Sequence, residues 1–234
     1  LVDNAQNAYI DNDNPIKVEV ITEKELTKAA CCDLAGCFET QISVKSKTTN
    51  IITNTKELSI LGLSGVYNQI LIDGLPIVNG LNYSYGISSI PGTLIKNIYI
   101  SQGLASVLQG PESISGQINI QLKSFEQKDT LLFNLYRNSF AMHQANLNYN
   151  FKIGKWATLI SLHTTQPGKR IDNNKDRFLD LPLTQKNSFY SKSSYKSANE
   201  KLFGIISLRY LNESRIGGEL NFMPNEHIGG SEVY

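Results

Sequence analysis

Cysteine, histidine and surplus charge are all scarce in this 234-residue chain. No apolar run approaches the ~18–20 residues of a membrane-spanning helix, which excludes a helical membrane protein. A transmembrane β-barrel survives that test, because its strands alternate and never form such runs. The 22 Lys+Arg against 21 Asp+Glu leave a net charge of +1, without the basic surplus of a nucleic-acid binder. The three histidines, His143, His163 and His227, have no motif-spaced partners. Gly-x-Ser-x-Gly, His-Glu-x-x-His and Gly-Lys-Ser/Thr are all missing, so the chain is not expected to be an enzyme. Leu1–Gln6 shows no basic and then apolar stretch, so an export signal is expected to have been removed or never to have been present. What remains is length for one or two domains, with 41% hydrophobic residues to build a core.

The first half mixes short strands, helix starts and glycines. Ile16–Val20 alternates apolar and polar residues like a half-buried strand. Thr22-Glu23-Lys24-Glu25 has the form of a capping box, and Leu26, Ala29, Ala30 and Leu34 follow at helical spacing, predicting a helix over about Glu23–Ala35. In Gln69–Ile77 the Asp73-Gly74 pair stands between apolar arms, a strong short-range hairpin signal. Pro91 is placed as the first residue of a short helix through Lys96, and Asn97–Ser101 and Gln117–Leu122 read as further strands. Together these predict a compact α+β domain ending near Lys123.

The second half is simpler. From Ala141 to Ile153 the odd positions carry Ala, His, Ala, Leu, Tyr, Phe and Ile, and the even ones Met, Gln, Asn, Asn, Asn and Lys. Thirteen alternating residues exceed the usual strand of about 5–6 and satisfy the 9–11 tilted residues that span a bilayer. Leu131–Phe140, Trp156–Thr165, Asn187–Lys196 and Lys201–Leu211 have similar lengths. Lys152–Lys155 and Ser197–Glu200 read as tight turns, while Gln166–Lys186 is a polar loop of about twenty residues. Short turns on one side and a long loop on the other is the pattern of outer-membrane barrels. Phe140, Tyr149, Phe151, Phe189, Tyr190 and Tyr195 are expected near strand ends, as an interfacial girdle in a barrel or as core in a soluble β-domain.

Several ordered segments of the first half resemble the plug domain of TonB-dependent outer-membrane receptors. They are Val18–Leu26, Leu61-Gly62-Leu63-Ser64-Gly65, Gln69–Pro76, Ile90-Pro91 leading into Ile95–Ile100, Gln102–Gly110 and Ser115–Ile120. The match covers about Ile16–Lys123, and 129–234 then look like the first strands of the associated barrel. The resemblance implies residues 1–15 as an extension, 16–125 as an α+β plug with a small mixed sheet and short helices, and 126–234 as about five antiparallel transmembrane strands of an incomplete barrel. It implies an energised gate in the outer membrane of a Gram-negative bacterium. A plug fills a 22-stranded barrel, a small ligand such as a metal chelate binds outside, and the inner-membrane TonB complex remodels the plug. Two departures are expected: 234 residues leave room for about five strands, and Leu1–Pro15 holds no legible TonB box. A scaffold or partner subunit of another outer-membrane assembly, or a soluble periplasmic binding module, remain open readings.

Candidate site residues follow from these patterns. Tyr67 and Asn68, with Asn82, Tyr83 and Tyr85, are the expected ligand-binding apex of the plug, since Tyr stacks on a polar ligand and Asn hydrogen-bonds to it. Gly62, Gly65, Gly74, Gly103, Gly110 and Gly116 fall at breaks between elements, where positive φ or close backbone approach calls for glycine. Asp73 reads as a turn residue. Asp172, Asn174, Asp176 and Asp180 match the early ligands of a calcium loop, yet Arg177 stands where that loop needs Gly and Leu183 where it needs Glu. A Ca2+ ion in this extracellular loop and a solvated acidic loop are the two readings. Cys31, Cys32 and Cys37 cluster, and an exported chain with an odd count leaves one thiol unpaired. A disulfide from Cys37 to Cys31 or Cys32 and buried free thiols are both open.

Overall fold

A computed structural model describes residues 8–11, 18–28, 33–38, 41–78, 83–103, 113–125, 130–197 and 201–222. The chain divides into two units, one of Leu1–Thr49 with Thr55–Lys123, the other of Asn50–Asn54 with Ser124–Tyr234.

The first unit is built on a six-stranded sheet. Its strands are β1 (Tyr9–Asp11), β2 (Val18–Thr22), β5 (Asn68–Ile72), β6 (Leu75–Val78), β7 (Ile95–Gln102) and β8 (Gly116–Leu122), in the order β1-β2-β7-β8-β5-β6. All neighbours are antiparallel except β5 and β8, which run parallel. Every residue of β5 is buried, as a strand covered on both faces requires. β8 alternates strictly between buried and half-buried positions. Ile70, Leu71, Ile98, Ile100, Ile118 and Ile120 fill the core together with Leu34, Phe38, Leu58 and Ile87 from outside the sheet. A separate hairpin pairs β3 (Val44–Asn50) with β4 (Thr55–Ile60).

The Asp73-Gly74 hairpin forms as read, both residues adopting positive φ (51° and 82°), the requirement of a type I′ turn. The predicted helix over Glu23–Ala35 does not run through. Helix α1 spans Glu23–Lys28, and after residues 29–32, outside the described set, Asp33 is extended (φ −142°, ψ 175°) and caps α2 (Leu34–Cys37) by accepting from the Gly36 N–H at 2.9 Å. A side chain that serves as an N-cap competes with continuing the preceding helix. The capping box is not made on its Thr22 side either, since Thr22 Oγ1 is buried without a hydrogen-bond partner. Pro91 precedes, and does not begin, a 3₁₀ turn at Gly92–Leu94, and β7 already starts at Ile95. Helix α3 spans Tyr83–Ser88.

The second unit is one antiparallel sheet of five consecutive strands: β9 (Leu131–Arg137), β10 (His143–Ile153), β11 (Trp156–Gln166), β12 (Leu183–Lys196) and β13 (Phe203–Ile216). Links β10–β11 and β12–β13 lie at one end, and 138–142 and the long loop 167–182 at the other. The strands run further into that loop than predicted, to Gln166 and from Leu183.

Burial in this sheet is inverted. Gln144, Asn146, Asn148, Ser161, His163, Thr165, Lys186 and Lys192 are buried, while Leu131, Phe133, Leu135, Leu162 and Leu208 are exposed. Leu135, at 68% exposure, sits one register row from buried Asn146. A sheet folded in water would turn over, because each exposed large aliphatic side chain forgoes roughly 1.5–3 kcal/mol of burial. The aromatic expectation is corrected in part. Tyr190 lies on the buried polar face, and Phe189 and Tyr149 lie mid-strand, whereas Trp156 and Tyr195 pair at the tight-turn end with ring centroids 5.1 Å apart.

Candidate functional site

The loop before β5 is a rigid frame with an exposed apolar tip. Positive φ at Leu61 (54°) and Gly62 (78°) turns the chain out of β4, and Ser59 Oγ donates to the Leu63 carbonyl at 2.7 Å. Glu57 Oε2 then accepts from Ser64 Oγ at 2.9 Å and from the Gly65 N–H at 3.2 Å, fixing the 3₁₀ turn Gly65–Tyr67. The Tyr67 carbonyl accepts three hydrogen bonds, from the Ile114 and Ser115 N–H groups and from Ser115 Oγ, at 3.0–3.1 Å. Val66, Tyr67 and Ile114 are left exposed on this frame.

The predicted apex residues separate here. Tyr67 is 44% exposed and available to a ligand. Asn68 is 2% exposed; its Nδ2 donates to the Leu58 carbonyl and its Oδ1 accepts from Ser115 Oγ. Both ends of that amide are used inside the fold, so Asn68 braces the loop from beneath. Asn82, and the side chains of Tyr83 and Tyr85, lie outside the described residues. Glu57 and Ser115, which do the fixing, carried no sequence signal: their partners lie 7–8 and about 48 residues away.

The glycines also divide by cause. Gly62, Gly74 and Gly103 have φ of 78°, 82° and 95° with open space where a Cβ would stand. Gly116 has an ordinary φ but no room, a Cβ there lying 2.6 Å from the Ser101 carbonyl oxygen. Gly65 is buried in its 3₁₀ turn, and Gly110 is outside the described residues. Asp73 is a turn residue that also clasps β8. Its Oδ1 accepts from the Leu122 N–H at 3.0 Å, and Asn119 Oδ1 accepts from the Gly74 N–H at 3.0 Å.

In the long loop the four calcium candidates turn inward on their own backbone. Asp172 accepts from the N–H groups of Lys175, Asp176 and Arg177 at 2.7–3.2 Å. Asp176 accepts from the Phe178 N–H and from Asn174 Nδ2, both at 2.8 Å, and Asp180 accepts from both nitrogens of Asn173. Among the described residues no three His, Cys, Asp or Glu side chains converge as a metal would need. The same side chains cap the turns of this loop. Cys37 is disulfide-bonded, and the other two cysteines lie outside the described residues.

On the polar face of β9–β11 the side chains form a hydrogen-bonded chain. His163 Nδ1 is 2.6 Å from Asn146 Oδ1 and its Nε2 is 3.0 Å from Thr165 Oγ1, while Asn146 Nδ2 donates to Asn134 at 3.3 Å.

An α+β unit followed by antiparallel strands with buried polar and exposed apolar faces defines the class: a β-barrel membrane fold carrying a globular unit ahead of its first strands. Residues 11–117 match the family described as TonB-dependent Receptor Plug Domain. The fold of the whole chain is similar to solved siderophore receptors. For the siderophore receptor PiuA from Acinetobacter baumannii the TM-score is 0.66 at 18% identity, covering 85% of this chain and 26% of the receptor. For P. aeruginosa FpvA bound to heterologous pyoverdines the values are 0.72, 13%, 87% and 26%. For the ferric-catecholate import receptor Fiu from E. coli K12 they are 0.61, 15%, 86% and 27%. The chain thus spans about a quarter of the length of these receptors. No curated protein sequence matches it.

Proposed function

We propose that this chain supplies the plug and first five barrel strands of an outer-membrane receptor that imports a small polar ligand, such as a metal chelate, with energy from the TonB complex. The observation that carries this reading is the exposed apolar face of β9–β13 with the buried polar face of β10–β12, in a chain whose residues 11–117 match the plug family. Leu131, Phe133 and Leu135 are exposed while Gln144, Asn146 and Asn148 are buried. A lipid solvent makes that arrangement favourable, because it repays the apolar face and leaves polar groups to turn inward. The exposed Tyr67 on its braced turn is the part of the apex best suited to stack on a ligand, and Asn82, Tyr83 and Tyr85 are proposed to join it. The work assigned to the molecule is gating and not bond chemistry.

The test uses the full-length protein in a Gram-negative host under iron limitation, with radioactive iron supplied as catecholate, hydroxamate or carboxylate chelates. Uptake of at least one chelate should need both this protein and an intact TonB complex. Uptake unchanged by loss of the TonB complex would remove the energised mechanism. Protein recovered in the soluble periplasmic fraction would remove the membrane reading altogether.

A further inference from the structure

Cross-strand register arranges the apolar face of β9–β13 in rows. One row runs Phe133–Leu147–Leu162–Phe189–Tyr210 across all five strands, and the next, toward the long loop, runs Leu135–Ala145–Thr164–Asn187–Asn212. Beyond it Arg137 faces His143, which faces Gln166. Ala145 is the smallest side chain of its row. Beside it lies a groove of about 330 Å³, lined by Phe133, Ala145, Leu147, Leu162, Phe189 and Tyr210, inside the ~300–1,000 Å³ range of small-molecule sites.

Asn146, His163 and Ser188, which belong to the opposite face, also border the groove; the side chains of the groove's own face are apolar along its floor and polar at one end. There Thr164 Oγ1 donates to Asn187 Oδ1 at 2.8 Å and accepts from Gln166 Nε2 at 2.9 Å. Arg137 is the single Lys, Arg, Asp or Glu on this face of the five strands. It stands four residues from Phe133 along β9, about 14 Å at the rise of a strand. An apolar trough ending in hydrogen-bonding groups and then one cation has the polarity of an anionic lipid, tail to headgroup.

We propose that this groove holds an acyl chain of an anionic, phosphate-bearing lipid from the leaflet on the long-loop side, with its phosphate at Arg137 and its ester and hydroxyl groups at Gln166. The assignment rests on the reading that β9–β13 span the membrane. It adds a specific lipid site to a face that otherwise needs only a hydrocarbon solvent. A guanidinium pairs with phosphate in two parallel hydrogen bonds, so the charge selects the headgroup while the hollow at Ala145 selects the tail.

The test is native mass spectrometry of the full-length protein released from micelles containing phosphatidylglycerol, phosphatidylcholine or lipid A. Ala145→Phe and Leu162→Trp fill the hollow by different routes, Arg137→Gln removes the cation, and Ser191→Phe adds the same bulk elsewhere on the face. Folding of each variant is checked by heat-modifiable gel migration. The wild type and Ser191→Phe should retain one anionic lipid, and a hollow-filling variant that folds should retain it at least tenfold less. Arg137→Gln should equalise phosphatidylglycerol and phosphatidylcholine. Equal retention by all proteins, or no retained lipid, overturns the groove assignment while leaving membrane insertion intact. A protein that never acquires heat-modifiable, detergent-bound form would instead overturn the membrane reading beneath it.

Discussion

At Gly116 a Cβ would lie 2.6 Å from the Ser101 carbonyl and 3.1 Å from Ile60 Cδ1, so replacement forces β7 and β8 apart. At Gly74 the space is open and only the left-handed backbone (φ 82°) resists a side chain. Gly116→Ala should therefore cost about 1–3 kcal/mol as overpacking, and Gly74→Ala about 1 kcal/mol as torsional strain. Urea denaturation of the purified protein, following plug signals, should rank them in that order. A second contrast separates brace from binding surface. Asn68→Ala removes two buried hydrogen bonds, to the Leu58 carbonyl and from the Ser115 hydroxyl, and should destabilise by about 1–3 kcal/mol. Its neighbour Tyr67, exposed at 44%, should change stability by less than ~0.5 kcal/mol when cut to Ala while weakening chelate binding in a fluorescence titration. Equal stability losses at 67 and 68 would contradict this division of roles. This second contrast was not legible beforehand, because Tyr67 and Asn68 are adjacent in sequence and differ in what the fold packs against them.

Whole strands are where the sequence spoke most plainly. The reading of β10 as an alternating strand of membrane length matches His143–Ile153, with its amide side chains on one face. Periodicity carries that information without help from tertiary contacts. The same face assignment yields a sharp test. Leu147→Lys puts a charge in a central row of the apolar face and should cost about 2–4 kcal/mol if that face meets lipid. In water this half-buried site would take a lysine at about 1 kcal/mol or less, since the long side chain carries its ammonium to solvent. Urea titration of folding into phosphatidylcholine vesicles measures the difference. Elements without a pattern were missed. β1 has three residues, and β3 (Val44–Asn50) is exposed or half-buried at all but its first position, so neither shows alternation. The helix over Glu23–Ala35 was over-read because its apolar spacing continues through Asp33, whose capping role depends on local backbone geometry.

For the molecule as a whole, the two units follow different rules of burial. The first buries Ile, Leu and Val around a mixed sheet; the second buries Asn, Ser, Thr and Lys and exposes Leu, Phe and Ile. One solvent does not favour both, which is the physical reason for reading a water-facing domain joined to lipid-facing strands. The full-length protein should accordingly sediment with outer membranes, resist extraction by salt and migrate differently on gels before and after boiling. Extraction by salt alone would show that the exposed apolar face is not in lipid.

Composition and alternation alone excluded membrane helices, located β9–β13 in the chain and chose which side chains share a face, because a strand's period of two is a local property of the backbone. The Asp73-Gly74 turn belongs with them, since two adjacent left-handed residues need no distant partner. Tertiary structure decided the rest. The parallel pairing of β5 with β8 joins residues 48 positions apart, and only chain closure makes such neighbours. It also set the four calcium-like side chains into hydrogen bonds within their own loop, and showed that in β10–β12 the polar face is the buried one. Alternation divides a strand into two faces, but which face turns inward depends on the solvent around the finished sheet.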